Sequence, residues 1–288
     1  MITTRFHGQL GNNLFQLATL LSLKEKGNDI FLLNSVHRGN INEINNFFVH
    51  PKELEFNEMF QYKFDYLDFN LFQSHYANKF KLINHADMTH NGFFGFVEIE
   101  PQLFSILNGY FQSEKYFLNI KEKIKNMYFK PSLEIEQQLN KYDFSNSLSI
   151  HYRRGGDRHI GDMQQYFKDL DFGYYLKNIR YVCNKKKINK IFVFSDDITW
   201  CKNNVANLIP TGYNLDIIFI ENNKNYVDLF LMSKCENNII ANSSFSWWSA
   251  WLNRNDDAII VAPKTNWFGP RLQHMYLNDL FPNNWITE

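Results

Sequence analysis

Four short clusters carry the residues able to do chemistry, and each sits where an apolar run gives way to glycine, hydroxyl or acidic residues. The most charged is His151-Tyr152-Arg153-Arg154-Gly155-Gly156-Asp157. Two adjacent guanidinium forks stay charged at any relevant pH and suit a diphosphate, while the following glycines let a backbone come close to a ligand. The alternative use of such a pair is a salt bridge between domains. His151 and Arg153 alternate onto one face if the preceding strand continues that far.

The second cluster is Phe194-Ser195-Asp196-Asp197-Ile198-Thr199-Trp200. One carboxylate there suits a helix N-cap and the other a base or ribose, or both simply cap. The third, Asn242-Ser243-Ser244-Phe245-Ser246-Trp247-Trp248, sets hydroxyls and backbone donors at the mouth of a helix, a favourable place for phosphate oxygens. Of Trp247, Trp248 and Trp251, two are expected to pack on the sheet. The fourth is His7-Gly8-Gln9-Leu10-Gly11-Asn12-Asn13. It is neither a dinucleotide glycine fingerprint nor a phosphate-binding P-loop, since no Lys-Ser/Thr follows. Gly8, Gly11 and Asn12 are its candidates for the cleft, with Asn12 also expected to cap the first helix.

The elements that must position these clusters alternate regularly in the second half. Ser147–Tyr152, Lys190–Phe194, Leu215–Ile220, Asn238–Ala241 and Ala258–Ala262 read as strands. Gln164–Asn184, Ile198–Leu208, Tyr226–Lys234 and Ser246–Leu252 read as helices. Strands that are apolar throughout and separated by helices predict an α/β fold with a parallel sheet covered on both faces. Three strand ends then present Arg-Arg, Asp-Asp and Ser-Ser to one crevice. The first half opens with a strand near Ile2–Phe6, an amphipathic helix Leu14–Lys26 stopped by Gly27, and a strand Ile30–Leu33. The Phe- and Tyr-rich stretch from Phe47 to Phe117 reads as loops and short helices. A polar stretch from Pro131 to Asn146 suggests a boundary, giving domains 1–145 and 146–288.

Composition narrows the class. The 288 residues carry 30 basic and 30 acidic side chains. A neutral chain lacks the cationic face that nucleic acid requires. Lys185-Lys186-Lys187 is too short to change that and fits a solvated helix end; contact with an anionic membrane surface is its alternative. Cys183, Cys201 and Cys235 are odd in number and widely spaced, which speaks against a disulfide framework or zinc site. No signal peptide or membrane-spanning run of about 18 apolar residues is visible. Cytoplasmic action is therefore expected, with peripheral membrane association as an alternative.

The landmarks resemble the α-1,2-fucosyltransferase family, glycosyltransferase family 11. The likeness lies in G-x-L-G-N-x-x-F-Q at Gly8–Gln16, H-x-R-R at His151–Arg154, and F-S-D-D-x-x-W at Phe194–Trp200. Its longest part is D-L-x-L-M-S-x-C…N-x-I-I-A-N-S-S-F-S-W-W-x-A-W-L at Asp228–Leu252. The resemblance implies a GT-B-like fold, two Rossmann-like halves with parallel sheets and an interdomain active-site cleft. It implies GDP-β-L-fucose as donor, no cofactor or metal, and inversion onto a glycan hydroxyl, usually the 2-hydroxyl of a terminal β-galactoside. By the same carry-over Arg153 and Arg154 hold the diphosphate, His151 shapes their pocket, and Asn242 to Ser246 line the nucleotide site. Asp196 or Asp197 contacts nucleoside or substrate. Three departures stand out. Gly155-Gly156 displaces the family's acid to Asp157, and His7 and Asn13 replace the usual Gly and Gln. Asp157 and His7 are the candidate general bases. Another linkage or GDP-sugar, and a non-catalytic glycan- or nucleotide-sugar-binding role, are the competing readings.

Overall fold

Every pairing between the strands named below is parallel. The structure, a computed structural model, describes residues 1–34, 56–85, 95–155, 161–205 and 212–288. It divides into two compact units. One is Met1–Leu133 with Met275–Pro282, and the other is Glu134–His274 with Asn283–Glu288. Among the described residues no helix is long and apolar enough to cross a membrane.

The first unit contains β1 (Ile2–Thr4), α1 (Leu10–Glu25), β2 (Leu32–Asn34), α2 (Phe56–Met59), β3 (Tyr66–Asp68) and α3 (Phe69–His75). It continues with β4 (Lys81–Asn84), β5 (Ser105–Asn108) and α4 (Lys121–Lys123). β1 pairs with β5 and β5 with β4, while β2 pairs with β3. A single parallel bridge from Ile2 to Ile30 joins the two groups, with the Ile2 N–H donating to Asp29 O at 2.7 Å and the Phe31 N–H to Ile2 O at 3.1 Å. The strands thus run in the order β3-β2-β1-β5-β4.

Helix α1 is not the amphipathic surface helix its spacing suggests. Leu10 to Leu23 is buried except for Asn12. A helix enclosed all round must satisfy its polar side chains internally. Gln16 Nε2 donates to Gly109 O at 2.8 Å, Thr19 Oγ1 to Phe15 O at 2.9 Å, and Ser22 Oγ to Asn119 Oδ1 at 3.0 Å. Its end is legible in the sequence. Gly27 takes φ +89°, its N–H donates to Lys24 O at 2.9 Å, and the Asn28 N–H reaches Leu23 O at 3.2 Å, the paired closure of a Schellman cap. Around α1 the phenylalanines go into the core, with Phe60 stacked on Phe129 at 4.8 Å and Phe72 edge-on to Phe80 at 5.0 Å.

The second unit is entered through α5 (Leu133–Leu139), whose first residue still belongs to the first unit. It continues as β6 (Ser147–Tyr152), α6 (Phe172–Lys185), β7 (Lys190–Ser195), α7 (Ile198–Asn204), β8 (Asp216–Phe219) and α8 (Asn225–Lys234). The chain then forms β9 (Asn237–Ile239), α9 (Ser244–Trp251), β10 (Ile260–Ala262) and β11 (Ile286–Thr287). Its six-stranded sheet has the order β11-β10-β9-β6-β7-β8. Chain order therefore runs one way from β6 to β8 and then reverses through β9 to β11, the doubly wound arrangement. All six residues of β6 are buried. Leu148, Ile150, Ile191, Val193, Ile239 and Val261 form the sheet's core with Tyr175, Ile179 and Val182 of α6. Truncating one of the core isoleucines to alanine is expected to cost about 2–5 kcal/mol. Trp247, Trp248 and Trp251 are all buried, and Trp247 and Trp248 meet edge to face at 5.3 Å, so all three belong to packing.

Candidate functional site

The reversal of strand order in the second unit falls between β6 and β9. Ligands of open α/β sheets bind beyond the carboxyl ends of the strands at such a point. Here β6 ends in His151 to Arg153, and β9 leads through Ala241 and Asn242 into the first turn of α9. The two strand ends meet, with the ring centroids of His151 and Phe245 5.7 Å apart. β7, on the other side of β6, adds Asp196 and Asp197.

Arg153 forms an ion pair with Asp196. The Arg154 N–H donates to the other oxygen of the same carboxylate at 2.8 Å. Burial alone would raise the Asp196 pKa. The Arg154 N–H, the Arg153 charge and the Gly155 N–H outweigh it and hold the carboxyl below its ordinary value. A Cβ at Gly155 would stand 3.3 Å from that carboxylate, so the first glycine permits the chain to wrap it closely. Arg154 is held differently. Its guanidinium carbon lies 3.8 Å from the centroid of the Trp200 ring, and its Nη1 is 3.5 Å from Asp169 Oδ2. Both of these ion pairs lie inside the second unit. Asp197 is the cap, its Oδ1 accepting the Trp200 N–H at 2.9 Å. Only one of the two aspartates caps; the other is engaged by both arginines.

At the mouth of α9, Asn242 and Ser246 are buried. Asn242 Nδ2 donates to Lys168 O at 2.8 Å and to Asn266 and Trp267 O at 3.2 Å, and Ser246 Oγ contacts the Ser243 and Ala241 carbonyls. Both therefore shape the turn. Ser243, Ser244 and Phe245 remain partly exposed. The first-turn N–H groups of a helix have no intrahelical partner, and they place partial positive charge near the end of β9, the strand next to β6. Asp157 lies outside the described residues. Neither Asp169 nor the Trp200 contact is evident from the sequence, because nothing local marks residue 169 and Trp200 meets Arg154 across 46 residues.

In the first unit the equivalent reversal lies between β1 and β5. His7 Nε2 is 2.8 Å from Asn108 Oδ1, and Asn108 Nδ2 donates to Asn84 Oδ1 at 2.5 Å. Asn13 Nδ2 donates to His7 O at 3.0 Å. Gly8 has φ +73°, and a Cβ there would strike the Asn12 amide at 2.2 Å. Asn12 does not cap α1. The helix starts at Leu10 with Gln9 in the cap position, and Asn12, one turn in, accepts a hydrogen bond from Gln112 Nε2 at 2.7 Å. Gly11 is buried within that first turn. This loop is lined by imidazole and amides, whereas the β6–β9 site is lined by ions. Among the described residues no group of three His, Cys, Asp or Glu side chains could hold a metal ion.

The family model described as glycosyl transferase family 11 matches residues 1–288. The chain belongs to glycosyl transferase family 11. Within that family the relatives differ in what they are named for. An alpha-1,2-colitosyltransferase of Escherichia coli is 38% identical over 62% of this chain and 60% of its own length. An O-antigen biosynthesis glycosyltransferase, WbnK, of Escherichia coli is 43% identical over 43% of this chain and 40% of its own. A putative galactoside 2-alpha-L-fucosyltransferase of Caenorhabditis elegans is 23% identical over 96% of this chain and 75% of its own. The first two matches thus span less than two thirds of those relatives. The relatives of this family 11 chain thus include one named as an alpha-1,2-colitosyltransferase and one named as a putative galactoside 2-alpha-L-fucosyltransferase.

Proposed function

We propose that the protein transfers L-fucose from GDP-β-L-fucose, with inversion, to a glycan hydroxyl, the 2-hydroxyl of a terminal β-galactoside. The observation that carries this reading is the place of Arg153 and Arg154 just after β6, where strand order reverses towards β9 and the first turn of α9 follows, with His151 and Phe245 in contact there. That set of fixed positive groups matches a diphosphate leaving group. The α-1,2 linkage in the names of two relatives supports the 2-hydroxyl.

In the proposed step the acceptor oxygen attacks the anomeric carbon from the face opposite GDP. The bond from that carbon to the diphosphate oxygen breaks, its electron pair leaves with GDP, and the acceptor proton passes to a base. Arg153 exchanges its Asp196 partner for the diphosphate, and Arg154 adds the second charge. These charges do the work a divalent metal does in other transferases, so the reading needs none. His7 and Asp157 are the candidate bases. Action in the cytoplasm belongs to the same proposal.

A second reading has a specific observation behind it. The 38% identity to a colitosyltransferase makes GDP-colitose the competing donor. Competition among GDP-fucose, GDP-colitose, GDP-mannose and UDP-galactose for transfer to lactose separates these, and linkage analysis of the product reads the acceptor position. GDP-fucose outcompeting the others with an α-1,2 product supports the proposal; a preference for GDP-colitose replaces the sugar but keeps the diphosphate chemistry. Nucleotide-sugar binding without any transfer would favour the non-catalytic reading.

A further inference from the structure

Arg154 is held by an aromatic surface, and Arg153 pairs with the Asp196 carboxylate of the β7 turn. Trp200 is the third residue of α7, and its backbone N–H is fixed by Asp197 Oδ1 at 2.9 Å. Its ring lies parallel to Phe172, the first residue of α6, at 5.4 Å and 4°. Two helix starts thus lock the indole plane, and the Arg154 guanidinium carbon rests 3.8 Å from its centroid. Asp169, just before α6, lies 3.5 Å from one guanidinium nitrogen. A guanidinium in cation–π contact with the face of a fixed ring has fewer ways to turn, so its orientation is restricted before a ligand arrives.

We infer that Trp200, backed by Phe172, is a positioning residue that presets the guanidinium plane of Arg154 for a diphosphate. The inference rests on the reading of the β6–β9 site as a diphosphate site, and it extends that reading to a residue outside the arginine motif. Trp200 acts through Arg154 and does not touch the nucleoside. Its loss should therefore be felt by ligands that carry a diphosphate and ignored by those that do not. The orientation gain should also vanish when Arg154 is no longer planar.

The test is a double-mutant cycle read by calorimetry, using GDP, inorganic pyrophosphate and guanosine as probes. Trp200→Leu should weaken GDP and pyrophosphate about 5- to 30-fold, the span of a partly desolvated cation–aromatic contact. Trp200→Phe should restore most of the loss. Guanosine should bind all variants equally, which a general disturbance of the fold would not allow. In an Arg154→Lys background, Trp200→Leu should add little. Unchanged GDP affinity in Trp200→Leu overturns the inference, as does an equal loss of guanosine or full additivity with Arg154→Lys. If the wild-type protein prefers UDP, the donor assignment falls, and the same cycle run with UDP still reads the Arg154–Trp200 coupling. Binding of no nucleotide and no pyrophosphate overturns both.

Discussion

Two loops occupy the same place in two parallel sheets and carry opposite kinds of chemistry. The β6–β9 loop set holds Arg153, Arg154, Asp196 and Asp169 as ion pairs. The β1–β5 loop set holds His7, Asn84, Asn108, Asn12 and Gln112 in hydrogen bonds that involve amides at every step. The architecture explains where each loop is, since both lie where strand order reverses. It does not explain what each loop recognises; side-chain charge does that. Paired ions can exchange one anionic partner for another, so the second unit suits a diphosphate. Amides offer donors and acceptors side by side, which suits neutral hydroxyls.

The comparison breaks most visibly at Arg153. Arg153→Ala removes a charge that the proposed mechanism sets against the leaving diphosphate, and kcat/KM should fall about 10²-fold or more. Steady-state transfer kinetics on the folded variant check it. The amide loop should fail through stability instead. Gly8→Ala puts a Cβ on a backbone at φ +73° and into the Asn12 amide. Urea unfolding should show a loss of about 2–3 kcal/mol, the sum of a left-handed backbone penalty and a displaced side chain.

A smaller effect separates two aspartates of the second unit. Asp196 titrates below its ordinary value. Asp228, near the start of α8, is pushed up to about 6 by burial, opposed only in part by the Asn223 side chain that donates to it at 2.9 Å. A carboxyl whose folded pKa is raised favours the folded state while protonated, and that contribution is lost as pH rises from about 4 through 6. Asp228→Asn should therefore add about 1–3 kcal/mol of stability at pH 7 and nothing below about pH 4, as read from unfolding at a series of pH values. The smallest change is Tyr152→Phe. The Tyr152 hydroxyl is buried with no hydrogen-bond partner among the described residues, so removing it should raise stability by no more than about 1 kcal/mol. A large loss in thermal unfolding would show that the hydroxyl has a role.

Much of the second unit could be read directly. β6 runs over Ser147–Tyr152 as expected; all six residues are buried, with Leu148, Ile150 and Tyr152 on one face and Ser147, Ser149 and His151 on the other. Helix α6 was expected from Gln164 but starts at Phe172, since Asp171 Oδ1 caps it by accepting the Tyr174 N–H at 2.9 Å and the preceding chain forms only a 3₁₀ turn at Gly161–Gln165. β9 begins one residue earlier than its apolar run, at Asn237. Buried asparagines are tolerated there because Asn238 Nδ2 donates to Ser149 Oγ at 2.6 Å and Asn253 Nδ2 to Asn238 Oδ1 at 2.7 Å. Those contacts join residues far apart in sequence, so the scattered asparagines gave no local signal. The same holds in the first unit for Asn84 and Asn108, which meet His7 only through strand pairing. The arginine and aspartate motifs were legible because strand ends in parallel sheets are where ligand chemistry collects.

GDP release from GDP-fucose, measured in EDTA with and without lactose or N-acetyllactosamine, tests the central claim most directly. The wild-type protein should release GDP only when acceptor is present, and Arg153→Ala should lose that release. A wild-type protein that neither binds nor hydrolyses GDP-fucose, or an Arg153→Ala protein that turns over normally, would contradict it.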